Sequence, residues 1–299
     1  MSTNATSPNY VISETQVAAY KEKGFIVIED IFSSDEIKEM RAALNNMVAD
    51  AHGIKTHTKI FDLEPSHTPE SPRVRRIKEP FKNNEIFNHM GRSPRLIKAL
   101  TALIGPNLRM HGSKINMKSA SYGSSVEWHQ DWAFYPHTND DILAVGVMLD
   151  DMTTKNGPVL CLPGTHKGPT FDHHQDGRFV GAIDPLANKL DYNSAEAIVG
   201  SAGACSFHHV RTVHGSGSNT SQQDRRLLLF QVASADAWDL RGMVTESNWE
   251  EYVDTMIAGT PTLEPRVESI PVRLPYPGAQ MQGSIYENQS IAHNKYFET

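Results

Sequence analysis

Two cysteines in 299 residues leave no basis for a disulfide framework. Cys161 and Cys205 lie in apolar, strand-like surroundings, so buried free thiols in a reducing compartment are expected. No apolar run approaches the roughly 20 residues that a membrane helix requires. The opening Met1-Ser-Thr-Asn-Ala-Thr-Ser-Pro has neither the charged nor the apolar region of a secretory leader, and a cytoplasmic location is expected. A basic excess is also missing. Lys and Arg number 28 against 35 Asp and Glu, a formal charge of −7, whereas nucleic-acid binding needs a basic surface. Neither a repeat nor a linker is visible, so residues 1–299 are expected to form a single domain.

The remaining sequence divides by texture. Ser13 with Gln16, and Ser33 with Glu36, have the spacing of capping boxes and predict two helix starts. The second helix places Ile37, Met40, Leu44, Met47 and Val48 on one face. Ser93-Pro94 opens a third helix, with Leu96, Leu100, Leu103 and Ile104 inward and Gly105 closing it. Between them, residues 52–73 carry no periodicity and read as loop. From about residue 107, short β-type runs separated by turn residues replace the helices. Eight are expected: Leu108–Met110, Lys114–Lys118, Val126–His129, Ile142–Leu149, Val159–Leu162, Ala197–Val199, Ala204–His208 and Leu227–Val232. The fold class is therefore mainly β with flanking helices, the strands closing into a sandwiched antiparallel core such as a jelly roll. Helical support spans about 13–105, the β core about 107–235, and an extension runs from 236 to 299. The stretch 165–195 is too long for a hairpin and reads as a loop at the barrel mouth.

The chemistry concentrates in Trp128-His-Gln-Asp and a lone His214-Gly-Ser. His129 and Asp131, two apart, would leave one face of a strand. With His214 they supply two imidazoles and a carboxylate to one side of a metal, the donor set of non-haem Fe(II) oxygenases. Eleven residues later, Arg225 opens a strand-like run and is placed to hold the distal carboxylate of an organic diacid. Lys114, Asn116 and Lys118 share one strand face, which lines the site if it turns inward and lies outside the barrel if not.

Three blocks in order, Trp128-His-Gln-Asp-Trp-Ala-Phe-Tyr-Pro-His, Asn156-Gly-Pro-Val-Leu-Cys-Leu-Pro-Gly-Thr-His-Lys-Gly and His214-Gly-Ser, resemble the phytanoyl-CoA dioxygenase family over most of residues 15–235. The resemblance implies a double-stranded β-helix. It also implies Fe(II) on His129, Asp131 and His214, with 2-oxoglutarate and O2 converted to succinate and CO2 as a C–H bond of a small molecule is oxidised. Asp131 is the carboxylate that halogenase relatives lack, which points to hydroxylation or a related oxidation. Arg225, rather than its opposite-facing neighbour Arg226, would pair with the C5 carboxylate. Ser216 and a basic residue ahead of the barrel, Arg76 or else Lys78, would also contact the cosubstrate. Trp132, Phe134 and Tyr135, with Lys114 and Asn116, are candidates for the substrate wall. His208-His209 and His166 are expected to be structural.

Two other functions fit parts of the pattern: a binding protein that keeps the barrel, and a zinc enzyme using the same ligands. Neither needs Arg225 and Ser216 as well. Acyl-CoA, terpenoid or polyketide, and amino-acid substrates are not separable by sequence. The Pro-rich stretch 261–277 is a possible cover for a second subunit, which allows a homodimer.

Overall fold

The computed structural model describes residues 12–241, 249–279 and 284–297. Both expected capping boxes form. In α1 (Glu14–Lys23) the Ser13 hydroxyl accepts from the Gln16 amide at 3.2 Å, while the Ser13 amide donates to the Gln16 side chain at 2.9 Å. Ser33 and Glu36 repeat the exchange at α2 (Ser34–Ala49), satisfying amide groups that a helix start leaves without partners. Two short helices, α3 (Pro80–Asn83) and α4 (Glu85–Gly91), precede α5 (Pro94–Ile104) and were not anticipated. They fall in a stretch whose periodicity is too short to register.

An eight-stranded sheet forms the larger wall. Its central strands are β4 (Leu108–Lys118), β6 (Ile142–Met148), β11 (Cys205–His209) and β13 (Arg225–Ser234). Edge strands are β1 (Phe25–Ile28), β2 (Phe61–Leu63) and β3 (Val74–Lys78), giving the order β1-β11-β6-β13-β4-β3-β2, with β14 (Met256–Ala258) also on β4. The two runs expected at 108–110 and 114–118 are one continuous strand, bulged where Gln231 and Val232 meet Gly112 and Met110. β2 forms within the expected loop, and β3 just beyond it, where no strand was expected. The charges of β3 hide it from a hydrophobic pattern, and Arg75, Arg76 and Lys78 find acidic partners in Glu287 and Asp62.

The smaller wall has the order β10 (Glu196–Ala197), β7 (Leu160–Cys161), β12 (His214–Ser216), β5 (Val126–His129). The long segment 165–195 contributes a separate two-stranded ribbon, β8 (His174–Gln175) with β9 (Arg178–Phe179). His214-Gly-Ser, whose composition is that of a turn, is a strand bonded on both sides. Cys161 and Cys205 are buried free thiols, as expected.

Alternation along β13 separates core from site. Leu228, Phe230 and Val232 pack against Ile37, Met40, Leu44, Leu96 and Leu100 of the helices, in one continuous apolar core. Each such side chain, fully buried, is worth about 1.5–3 kcal/mol relative to exposure. Arg225, Leu227 and Leu229 point the other way, into the space between the sheets. The 261–277 stretch packs on its own chain: Glu268 donates its amide to Thr138, and Pro271 accepts from the Trp132 indole at 3.0 Å. Two further helices, α6 (Trp249–Asp254) and α7 (Ile285–Ser290), belong to the extension.

Two buried histidines tie this framework to pH. Burial lowers His137 to about 4 and His173 to about 3, against roughly 6.5 in an unfolded chain. Folding keeps both neutral, so their contribution is complete above the unfolded value and is lost as pH falls towards the folded ones. Urea midpoints are expected to be level from pH 7 to 8 and to drop steeply between about 6.5 and 4. A midpoint independent of pH through that window would contradict the assignment.

Candidate metal centre

β5 and β12 are neighbours in the smaller sheet, and His214 sits opposite His129 in register. Their rings approach to 4.1 Å between centroids. Each imidazole is oriented in the same way. His129 Nδ1 donates to the Glu127 carbonyl at 2.8 Å, and His214 Nδ1 to the Thr212 carbonyl at 2.9 Å. A carbonyl only accepts, so the proton is on Nδ1 and Nε2 keeps its lone pair for a metal. Asp131 reaches the same point by a different route from the one expected. β5 stops at His129, and Asp131 opens a single 3-10 turn, Asp131–Ala133, which swings its carboxylate to 4.0 Å from His129 Nε2. Donor atoms of His129, Asp131 and His214 all lie within 4.8 Å of one another, and all three side chains are buried.

Gln130, between two of these residues and wholly buried, staples the centre together. Its side chain donates to the Arg211 carbonyl at 2.8 Å and the Pro169 carbonyl at 3.1 Å, and accepts from the Phe171 amide at 2.9 Å. Its own amide donates to His173 Nε2 at 2.9 Å. His173 is therefore structural. The residue between His129 and Asp131 thus fixes the strand to the His214 approach and to the long 165–195 loop at once.

Burial lowers His129 to about 4 and His214 well below its ordinary value, so both are neutral at physiological pH. Burial alone would raise the Asp131 carboxyl, but His208, Lys114 and the two imidazoles hold it well below the carboxylate range. The centre is a deprotonated donor set, as a divalent metal requires.

From it a cavity of about 50 Å³ runs between the sheets, walled by Lys114, Asn116, His208, Ser216 and Arg225 among others. Arg225, 2% exposed, donates to the Gly157 carbonyl at 2.9 Å, and its Nε has no partner among the described residues. Burial lowers it to about 10. Arg226 instead pairs with Asp150 at 2.6 Å. Lys118 faces Arg225 in register and donates to the Ser216 hydroxyl at 2.8 Å and to the Gly217 carbonyl. A buried guanidinium with an idle donor fits an anionic cosubstrate.

The structure divides the remaining candidates. Lys114 and Asn116 line the cavity, so that face of β4 turns inward. Arg76 pairs with Asp62 at 2.7 Å and keeps a buried Nε without a partner among the described residues, while its register partner Asn116 reaches the wall. Lys78 joins the same Asp62. Of the aromatics, Trp132 is core, Phe134 stands edge-on to His129 at 5.8 Å, and the Tyr135 hydroxyl sits 3.4 Å from Gln231 and faces Asp131. None of the three is a wall of this cavity. His208, read as structural, does line it, with Nε2 3.7 Å from Asp131. Ile285 and Tyr286 of α7 close one side. The Gln289 side chain accepts from the Glu127 amide at 2.9 Å, and the Glu127 carboxylate accepts from the Tyr296 amide at 2.7 Å, strapping the C-terminal segment over β5.

A jelly roll presenting two histidines and one carboxylate, with a buried arginine deeper in the same cavity, defines the class of mononuclear non-haem iron oxygenases. Comparisons with known proteins agree. The model of the family Phytanoyl-CoA dioxygenase (PhyH) matches residues 20–227, and the chain belongs to that family. A protein of Stutzerimonas stutzeri described as a probable alpha-ketoglutarate-dependent hypophosphite dioxygenase is 37% identical over 286 residues, 94% of this chain and 99% of its own. The ectoine dioxygenase of Sphingopyxis alaskensis is 28% identical over 70% of this chain and 71% of its own. A crystal structure of EctD from S. alaskensis with 2-oxoglutarate and 5-hydroxyectoine superposes with a TM-score of 0.64 at 26% identity, covering 77% of this chain and 78% of that one.

The staple is testable. His173→Leu leaves the buried Gln130 amide without an acceptor, at a cost of about 1–3 kcal/mol in urea unfolding. Because that amide sits between two donors, Zn(II) affinity is expected to fall roughly 10-fold or more. Unchanged stability and unchanged affinity would show that His173 does not position the centre.

Proposed function

We propose that His129, Asp131 and His214 hold Fe(II), that Arg225 and Ser216 hold 2-oxoglutarate, and that a small molecule is oxidised beside them. The chain is an iron- and 2-oxoglutarate-dependent dioxygenase. The observation that carries the residue assignment is the arrangement of one cavity, with three converging neutral or anionic donors at one end and a buried, half-idle arginine at the other. When bound, iron supplies the oxidation, with 2-oxoglutarate and O2 leaving as succinate and CO2 and one oxygen passing to substrate.

The residues' own work is orientation and exclusion. The Glu127 and Thr212 carbonyls fix which nitrogen each imidazole offers. The Arg225 guanidinium gives the C5 carboxylate a charge-assisted partner in a place water scarcely reaches. Tyr286 and Ile285 roof the cavity. The polar groups Lys114, Asn116 and His208 on its wall favour a small polar substrate over an acyl-CoA or a terpenoid. The relatives named above for hypophosphite and ectoine dioxygenation support the same size class, and the oxidised bond is C–H or, as a hypophosphite substrate would require, P–H.

A binding protein has no need for Arg225 in addition to the donor triad, and a zinc hydrolase has no use for a carboxylate pocket. Succinate release, with substrate or as uncoupled turnover, tests the assignment. Asp131→Ala is expected to abolish it while leaving the circular dichroism unchanged. Arg225→Ala is expected to raise KM for 2-oxoglutarate by about 10- to 100-fold with a smaller change in kcat, since it removes binding common to ground and transition states. Full turnover by Asp131→Ala would sink the assignment.

A further inference from the structure

Away from the triad's cavity, a second pair of histidines meets a carboxylate. His111 is the extra residue of the bulge in β4: Gly112 pairs with Gln231 and Met110 with Val232, which leaves His111 outside the ladder. The bulge exchanges the two faces of the strand. Ile115 and Met117 after it, and Leu108 and Met110 before it, all pack in one apolar core, so His111 points away from that core. His137 and Asp239 face each other in an isolated antiparallel bridge. The Thr138 amide donates to the Trp238 carbonyl and the Leu240 amide to the Pro136 carbonyl, each at 2.9 Å. Those bonds flank the pair, the arrangement in which opposed side chains lie closest. The His111 and His137 rings are 4.8 Å apart and nearly perpendicular. Donor atoms of His111, His137 and Asp239 all lie within 4.8 Å of one another.

His137 is held as the imidazoles of the triad are. Its Nδ1 donates to the carbonyl two residues back, that of Tyr135, at 2.8 Å. His173 makes the same bond to Phe171, but its Nε2 is then taken by the Gln130 amide. The Nε2 of His137 is buried and has no partner among the described residues, in a side chain 1% exposed. An acceptor kept from water without a donor is costly, and a metal ion at that nitrogen removes the cost. Two cations stand nearby. Arg109 donates to the Ala237 carbonyl at 2.6 Å. Arg241 pairs with Asp239 at 2.5 Å, but its side chain is 37% exposed, and a surface pair of that kind yields easily.

We propose that His111, His137 and Asp239 form a second metal site, separate from the triad, which takes Zn(II). Two imidazoles and one carboxylate suit zinc, with water completing the tetrahedron. His111 and Asp239 are only partly buried, which gives the ion a way in from solvent. Bound there, it ties together the bulge of β4, the chain after the 3-10 turn and the segment following β13. Tyr135, its ring 4.9 Å from His111 and its hydroxyl facing Asp131, stands between the two sites. The second ion is a clamp on the fold beside the metal centre.

The test takes the full chain, strips it with a chelator, equilibrates it with Zn(II) and counts the metal that survives gel filtration. Wild-type protein is expected to hold two ions per chain. Asp131→Ala, which breaks the triad, is expected to keep one, and Zn(II) is still expected to raise its Tm. His111→Gln and Asp239→Asn, at partly buried positions, are each expected to lose one ion and keep the other. The double variant Asp131→Ala with Asp239→Asn is expected to hold none and to show no rise in Tm. The proposal is overturned if wild-type protein holds a single ion that Asp131→Ala loses. It is equally overturned if the second ion survives both His111→Gln and Asp239→Asn, which would make it adventitious. A single wild-type ion that survives Asp131→Ala but not Asp239→Asn would support this site and contradict the triad instead.

Discussion

The pairing of His129 with His214 across β5 and β12 sets the position of everything else in the cavity. Two imidazoles on adjacent strands of one small sheet point into the same space without any loop having to place them. Their Nδ1 protons go to carbonyls two residues back, so the ring orientation and the tautomer come from the strand itself. Asp131 adds the third donor by leaving the strand at once, and Gln130 prevents that turn from drifting by bonding to two other segments. The rest of the fold keeps this small sheet at a fixed distance from the large one.

The large sheet carries the complementary chemistry. Its outer face is an apolar seat for α2 and α5, and its inner face bears cations: Arg225, Lys118, Lys114. Burying Arg225 and Lys118 is expensive, and the two are met differently. Lys118 spends its protons on Ser216 and Gly217, and Arg225 keeps part of its hydrogen-bonding capacity idle. Lys114 has nothing among the described residues. A protein that places such groups in one cavity is arranged to take up negative charge, and the three donors at the metal end arrange it to take up a cation beside it.

The sequence revealed the parts of this arrangement that local rules govern. Capping boxes at Ser13 and Ser33, and the strand Val126–His129, were legible because propensity and pattern agree with the fold there. The triad and Arg225 were legible because donor type and spacing are chemical constraints. Other parts depend on contacts distant in the chain. His214–Ser216 has the composition of a turn and becomes a strand because neighbours bond it on both sides. Arg76 and Lys78 share Asp62, which lies in a strand that no hydrophobic pattern announces. Tyr286 lies far along the chain from the histidines it covers, and no spacing rule links them. Trp132, one residue beyond the triad, turned out to be core because the 3-10 turn reverses its direction.

The central claim is that one cavity holds iron at the triad and 2-oxoglutarate against Arg225. An anaerobic titration of the metal-free protein with Fe(II) and then 2-oxoglutarate, followed by visible absorption, addresses it most directly. The account predicts a metal-to-ligand charge-transfer band once both are present, with no band in Asp131→Ala and a band that needs far more 2-oxoglutarate in Arg225→Ala. Fe(II) binding without such a band in the wild-type protein would contradict it.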